Sequence, residues 1–255
     1  MTLPFPHPTS LLPPGFAIYR CTPGDVPSMV DVCKSFLSLT KAFPAGSPFT
    51  YWWSPSLEVM QTWHTTRIRS RFADPNTQQF KVVDETTGKP VAFAKWDPPK
   101  SMKGLKHGFV TYDNEGKVVE QTAKSEGREK EENKAPPPIL EAPKGADEAL
   151  YQEFFEALKT MGKKWNTDEK LVLSVICTDP AYHGRGIGAA LANSVLTIAD
   201  TEKVSAYLEA LPLAVPLYRR LGFEPVDHLE FDITRAGMEG TALLTIMVRE
   251  PKSPN

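Results

Sequence analysis

Between Thr178 and Asp200 the chain reads TDPAYHGRGIGAALANSVLTIAD, with Gly184, Gly186 and Gly188 alternating between an apolar run and a helix-like tail. No other stretch constrains the fold as much. Glycines at a strand-to-helix junction let the chain curl tightly and turn several N–H groups into one concavity, beside the positive end of a helix. Such a place seats an anion, and a pyrophosphate suits it because backbone donors reach its oxygens only where no Cβ intervenes. Arg185 adds a positive charge inside the loop. Two other readings stay open: plain turn punctuation, and the GxGxxA dinucleotide fingerprint, which Gly184, Gly186 and Ala189 fit. Against the fingerprint, the turn DPAYH separates the strand from the first glycine, and the match falls late, with room for only two or three more strands.

The elements around the loop read as a mixed α/β chain. FAIYRCT alternates like a short strand, and the helix after it takes Asp25 as N-cap, with Val26, Met29, Val30, Cys33 and Phe36 at helical spacing. SLEVMQTWHTTRIRSRFAD predicts a second helix, and QQFKVVDETTGKPVAFAKW a hairpin turning at Gly88 and Pro90. DEALYQEFFEALKTMG predicts an amphipathic helix capped by Asp147. EKLVLSVICTDP, VSAYLEAL, FEPVDHLEFDI and TALLTIMVRE read as strands, AALANSVLTIAD as a helix, and LAVPLYRRLG as a short helix stopped at Gly222. This order suits one layered α/β domain over 16–255, preceded by a proline-rich extended tail over 1–15. From about 113 to 145 the chain mixes both charge signs with three consecutive prolines and few large apolar groups, the composition of a flexible surface insertion.

Composition removes several function classes. A net charge of −2 over 255 residues gives no broad cationic field for nucleic acid. No apolar run approaches the roughly 18 to 20 residues of a membrane span, and MTLPFPHPTSLLPPG lacks a secretory leader's charged and apolar regions. We therefore expect a cytoplasmic protein, with the nucleus also open, and neither nucleic acid nor membrane as partner. Cys21, Cys33 and Cys177 have no metal-like or disulfide-framework spacing, so no metal is expected and the thiols read as buried.

LSVICTDPAYHGRGIGAAL resembles the acetyl-CoA-binding core of the GNAT N-acetyltransferase superfamily, whose pattern is a strand, a proline and then [Gln/Arg]-x-x-Gly-x-[Gly/Ala]. His183 stands at the Gln/Arg place, Gly186 and Gly188 at the required small residues. AYLEALPLAVPLYRRLGFE is similar to the family's next strand and its closing Leu-Tyr-x-x-x-Gly-Phe segment, here Leu217, Tyr218, Gly222 and Phe223. IYRCTPGDVPSMVDVC and FKVVDETTGKPVAFAKW resemble its earlier elements, so the likeness spans nearly the whole chain outside the tail and the insertion. By pattern it is most similar to fungal members. His183 departs from the pattern, but the family uses this loop mainly through backbone N–H groups, which implies that CoA binding survives.

The resemblance implies a mixed, largely antiparallel central sheet flanked by helices and splayed where acetyl-CoA binds. It implies a pyrophosphate seat from His183 through Gly184, Arg185, Gly186, Ile187, Gly188 and Ala189, with Ile176, Cys177 and Thr178 pairing with the pantetheine amides. It also implies direct acetyl transfer from acetyl-CoA, the cosubstrate, to a primary amine of a small molecule or peptide. The resemblance puts Tyr218 at the place of the family's acid, where it would protonate the departing thiolate; phenol and thiol pKa values of roughly 10 and 8.5 make that exchange feasible. Glu209, at the end of the next strand, is the candidate base through a water, with Asp97 and His228 as alternatives on the acceptor side. Cys177 raises a covalent acetyl-cysteine route, without a histidine at a telling spacing. Trp52, Trp53 and Trp96 are candidates for the acceptor pocket or, equally, for the core. A non-catalytic acyl-CoA-binding module and a Rossmann-type dinucleotide binder are the competing functions.

Overall fold

The computed structural model describes residues 12–38, 51–54, 56–99, 110–119 and 141–252, with 33–38 described by backbone alone. β1 (Phe16–Arg20) leads through a 3-10 turn into α1 (Val26–Ser38); α2 (Leu57–Ser70) is followed by the hairpin of β2 (Gln78–Asp84) and β3 (Lys89–Asp97). A small hairpin, β4 (Thr111–Tyr112) and β5 (Val118–Val119), precedes α3 (Glu148–Lys164), β6 (Leu171–Thr178) and α4 (Ile187–Thr201). β7 (Ala206–Ala210), α5 (Val215–Arg220), β8 (Glu224–Asp232) and β9 (Thr241–Arg249) complete the order. The expected positions of Cys33 and Phe36 on the first helix's apolar face lie outside the described side chains, and residues 1–11 of the expected tail lie outside the described residues.

Seven strands form one sheet in the order β1-β2-β3-β6-β7-β9-β8. Only β6 and β7 run parallel; the other neighbours are antiparallel. That excludes the doubly wound parallel sheet of the dinucleotide reading, because a Rossmann crevice needs a mostly parallel sheet. α4 covers one face with Leu191, Val195 and Leu196, packed on Val82, Ala92 and Ala94. Phe93, one residue out of phase with Ala92 and Ala94, points to the other face and meets Met29, Ile68 and Phe72 from the α1 and α2 side. Burial on both faces explains why β3 reads as a continuous apolar run at Val91–Ala94 rather than an alternating one. Arg249 of β9, 3% exposed, forks onto Asp200 of α4 through two 2.7 Å bonds. Loss of the partly exposed Asp200 carboxylate would leave the buried Arg249 guanidinium with part of its hydrogen bonding unmet.

Local chemistry fixes the helix starts. Asp147 accepts from Leu150 N–H at 3.0 Å, as expected, and Ser56 caps α2 by accepting from Val59 N–H at 3.3 Å. Asp25, however, is not the N-cap expected for the first helix. The chain enters α1 through the turn Pro23–Asp25 capped by Thr22, and the Asp25 carboxylate reaches back to Thr22 N–H (2.7 Å) and Oγ1 (3.0 Å) while also accepting from Lys81. This is a capping box, so the aspartate three positions in serves the cap instead of being it.

The boundaries of the two irregular segments also need correction. Residues 111–119 form the β4–β5 hairpin, whose turn is held by Asp113 accepting from Glu115 and Lys117 N–H groups at 2.9 Å each. At the far end, Glu141 and Lys144 present carbonyls to Trp63 Nε1 (2.9 Å) and Ser54 Oγ (2.8 Å). Both ends of the expected 113–145 insertion thus belong to the fold, and its interior over 120–140 lies outside the described residues. Leu12 packs on the core and Gly15 accepts from Glu85 N–H at 2.9 Å, so the fold begins before Phe16.

Candidate functional site

β6 and β7 pair at two positions only, Leu171 with Ala206 and Val172 with Tyr207. Beyond them the strands part. β6 keeps its pairing to β3 as far as Thr178 with Ala92, and β7 keeps its pairing to β9 as far as Ala210 with Thr245, so each strand stays anchored on its outer side. Ser174 is the extra residue of a bulge between the pairs Trp96–Leu173 and Lys95–Val175, and it marks where β6 bends away. The gap opens into a cleft of about 980 Å³, walled by Leu173–Thr178 on one side and by Glu209 and Leu211 on the other.

At one end of the cleft lies the glycine loop. Asp179 accepts from Ala181 N–H at 2.9 Å and opens a 3-10 turn over Pro180–Tyr182. Gly184 and Gly186 then take φ values of 75° and 78°, a region costly for any residue with a Cβ. Gly186 is the N-cap of α4, and the first intrahelical bond runs from Ala190 N–H to the Gly186 carbonyl at 2.9 Å. The N–H groups of Ile187, Gly188 and Ala189 therefore precede the helix's own ladder. No atom stands within 4 Å of where a Cβ would lie on Gly184 or Gly186, so the backbone there is bare. A diphosphate fits this donor set: unpaired N–H groups, the positive end of a 15-residue helix, and no side chain in the way.

Of the loop residues singled out in the sequence, His183, Gly184, Gly186, Ile187, Gly188 and Ala189 line the cleft, as do Ile176, Cys177 and Thr178. Arg185 is placed elsewhere: its guanidinium lies 4.8 Å from the centre of the Tyr182 ring, and Nη2 donates to the Ala181 carbonyl at 3.3 Å. His183 has a structural partner, its Nε2 lying 2.9 Å from the Thr178 carbonyl, which ties the loop to the end of β6.

Tyr218 comes from α5, which a proline in its first turn starts, and its ring packs edge-on to Phe223 at 5.9 Å. It is 5% exposed and faces the cleft. Burial, with a smaller contribution from nearby Cys177, raises its pKa well above the ordinary phenol range and keeps the proton on the oxygen. Glu209 lines the same cleft from β7. Burial pushes its carboxyl up to about 7, and Asp97 adds to that by like charge, outweighing the opposing hydrogen bonds. A carboxyl poised there can take or give a proton near neutrality.

The other candidates separate. Asp97 does not line the cleft; it accepts from Lys95 Nζ (2.6 Å) and from Ser174 Oγ at the bulge. Its burial opposes the charge, but Lys95 and these bonds keep the carboxyl below its usual range. His228 is exposed on β8, 3.5 Å from Glu230, away from the cleft. Trp52 and Trp53 line the cleft, whereas Trp96 is buried in the core beneath α4, because its strand is covered on both faces. Sequence reasoning missed the far wall, where His64, Arg67 and Arg71 face the cleft with Phe155 and Leu158.

Residues 152–239 match the family model of the acetyltransferase (GNAT) domain, a span that takes in β6, the glycine loop, β7 and α5. An uncharacterized N-acetyltransferase of Schizosaccharomyces pombe is 26% identical over 106 residues, 40% of this chain and 43% of that protein, so the match spans less than half of the relative. The crystal structure of histone acetyltransferase HPA2 and related acetyltransferase from Corynebacterium glutamicum aligns over 94% of this chain and 99% of that one, with a TM-score of 0.54 and 20% identity, a likeness of fold. The sheet order and the glycine loop agree with the match of residues 152–239 to the GNAT acetyltransferase domain.

Proposed function

We propose that the protein is an acetyl-CoA-dependent N-acetyltransferase that passes the acetyl group directly to a primary amine. One observation carries the reading: a single cleft connects the bare N–H cradle of α4 to the gap between β6 and β7, and Tyr218 of α5 and Glu209 of β7 both line it. Acetyl-CoA supplies an acyl group already activated as a thioester. In this reading Ile187, Gly188 and Ala189 hold the diphosphate through backbone N–H groups, and the edge of β6 from Ile176 to Thr178 aligns the pantetheine arm as an added strand would. Glu209 removes a proton from the ammonium, directly or through a water, which exposes the nitrogen lone pair. As the C–N bond forms and the C–S bond breaks, Tyr218, kept protonated at neutral pH by its raised pKa, gives its proton to the departing sulfur, and the second proton leaving the acylated nitrogen returns to the tyrosinate, directly or through a water.

Incubation with acetyl-CoA and a panel of amines, following free thiol, tests the proposal. We expect CoA release that depends on the amine and an equal quantity of N-acetylated product. Acetyl-CoA binding without amine-dependent release across arylalkylamines, amino acids, polyamines and peptides would favour a non-catalytic acyl-CoA-binding module.

A further inference from the structure

Asp97 pairs with Val172 and Val172 with Tyr207, so these residues form the last rung that crosses β3, β6 and β7 together. Two residues past that rung stand Ser174 on β6 and Glu209 on β7, and both line the cleft where the two strands have parted. Ser174 is the extra residue of the β6 bulge, and a bulge re-aims the side chain it carries. Here the Ser174 hydroxyl meets the carboxylate of Asp97, which Lys95 Nζ also reaches at 2.6 Å. Burial opposes the Asp97 charge, but Lys95 and the hydrogen bonds outweigh it, so the carboxylate is ionised and can only accept. The one proton of the Ser174 hydroxyl is therefore committed to Asp97. Its remaining lone pairs receive no hydrogen bond from the described residues. A hydroxyl held this way accepts and does not donate.

That polarity selects what can sit in the gap. A protonated primary amine brings several N–H donors and no acceptor, so it can give one to Glu209 and another to Ser174 at once. An alcohol has a single O–H and leaves one of the two acceptors without a donor. The two groups lie close enough for the like charge of Asp97, behind Ser174, to be felt at Glu209. Once Glu209 has taken a proton, the neutral amine still donates to Ser174, which fixes the direction of its lone pair for attack. Ser174 itself gains and loses no proton.

We propose that Ser174 is the hydrogen-bond acceptor that, together with Glu209, seats the nitrogen of the acceptor amine, with Asp97 holding the serine hydroxyl in its accepting orientation. This assignment rests on the acetyl-transfer reading of the same cleft. Calorimetric titration of the CoA-saturated protein with phenethylamine and butylamine, each against the alcohol of the same skeleton, tests it without turnover. Each amine should bind at least tenfold more tightly than its alcohol. Ser174→Ala should weaken both amines about tenfold, the effect of losing one hydrogen bond to a charged group, and leave the alcohols and CoA within about twofold of wild type. Ser174→Thr keeps the hydroxyl and should bind the amines within about threefold of wild type. Unchanged amine binding in Ser174→Ala, or no binding of either amine to the wild-type chain, would overturn the assignment. So would an equal loss of CoA affinity, which would make Ser174 a residue of the fold alone. Thiol release from acetyl-CoA with the same amines separates the two proposals. Weakened amine binding in Ser174→Ala with no thiol release from wild type leaves the seat standing and sinks the transferase, whereas release with the same amine KM in both chains sinks the seat and leaves the transferase standing.

Discussion

Val172 and Tyr207 are the last paired residues of β6 and β7, and every group assigned to the proposed chemistry lies beyond that rung. The geometry has an energetic meaning. An unpaired strand edge inside a fold leaves backbone donors and acceptors needing partners, and each one left without water or a ligand costs about 1–3 kcal/mol. A cosubstrate carrying two amides along its arm can supply such partners. Glu209 follows Tyr207 by two residues and so shares its face of the strand, which brings one carboxyl to the gap just where the strands separate.

Tyr218→Phe isolates the proposed acid. Among the described residues the Tyr218 hydroxyl has no hydrogen-bond partner, so its removal should leave the melting temperature within about 2 °C of wild type. Loss of a positioned acid removes roughly a hundredfold in rate. We expect kcat to fall by about that factor with little change in KM for acetyl-CoA, measured by thiol release. An unchanged kcat would remove Tyr218 from the mechanism.

Glu209 predicts two opposite pH trends. As a base it works ionised, so kcat/KM should rise as pH increases through about 7, the value to which burial pushes its carboxyl, and Glu209→Gln should abolish that limb. For stability the sign reverses. A carboxyl whose folded pKa exceeds its unfolded value favours the folded state at low pH, and that contribution is lost as pH rises from about 4.5 through about 7. Glu209→Gln should therefore be more stable than wild type at pH 8, by on the order of 1–3 kcal/mol, with the difference vanishing near pH 4. Urea titrations at the two pH values measure it, and equal stability at pH 8 would contradict the buried-carboxyl account.

Gly186 and Gly188 should tolerate alanine differently. At Gly186, with φ at 78°, a Cβ costs about 1–2 kcal/mol of backbone strain and intrudes on the N–H cradle, so Gly186→Ala should weaken CoA binding at least tenfold and lower stability. Gly188 lies inside the first turn of α4, where a Cβ would meet Thr178 Oγ1 at 3.5 Å, an ordinary contact. Gly188→Ala should leave both stability and CoA affinity close to wild type. Calorimetry on the two variants checks the contrast, and equal losses would place the diphosphate elsewhere.

Much of this was legible in the residues. The strand, glycine loop and helix from LSVIC to ANSVL carry their own signals, as does the β2–β3 hairpin, where Gly88 takes the positive φ of 68° its turn needs. What escaped depends on the rest of the chain. TPGD contains two good caps three residues apart, and which one caps is decided by the path into α1. Trp52 and Trp96 look alike in sequence, yet one borders the cleft and the other lies beneath α4, since only the sheet order says which strands are covered twice. Arg67 and Arg71 carry no signal of their own, because amphipathic patterning assigns charge to water, yet both line the cleft. The separation of β6 from β7 has no residue signature of its own. It follows from the outer pairings to β3 and β9 and from the bulge at Ser174.

The central claim, that the parted strands and the glycine cradle form an acetyl-CoA site, is tested most directly by equilibrium unfolding with and without the cosubstrate. Acetyl-CoA at a hundred times its dissociation constant should stabilise the wild-type chain by about 2.7 kcal/mol, and NAD or NADP at the same concentration should not. No stabilisation by acetyl-CoA at millimolar concentration, or equal stabilisation by NAD, would contradict it.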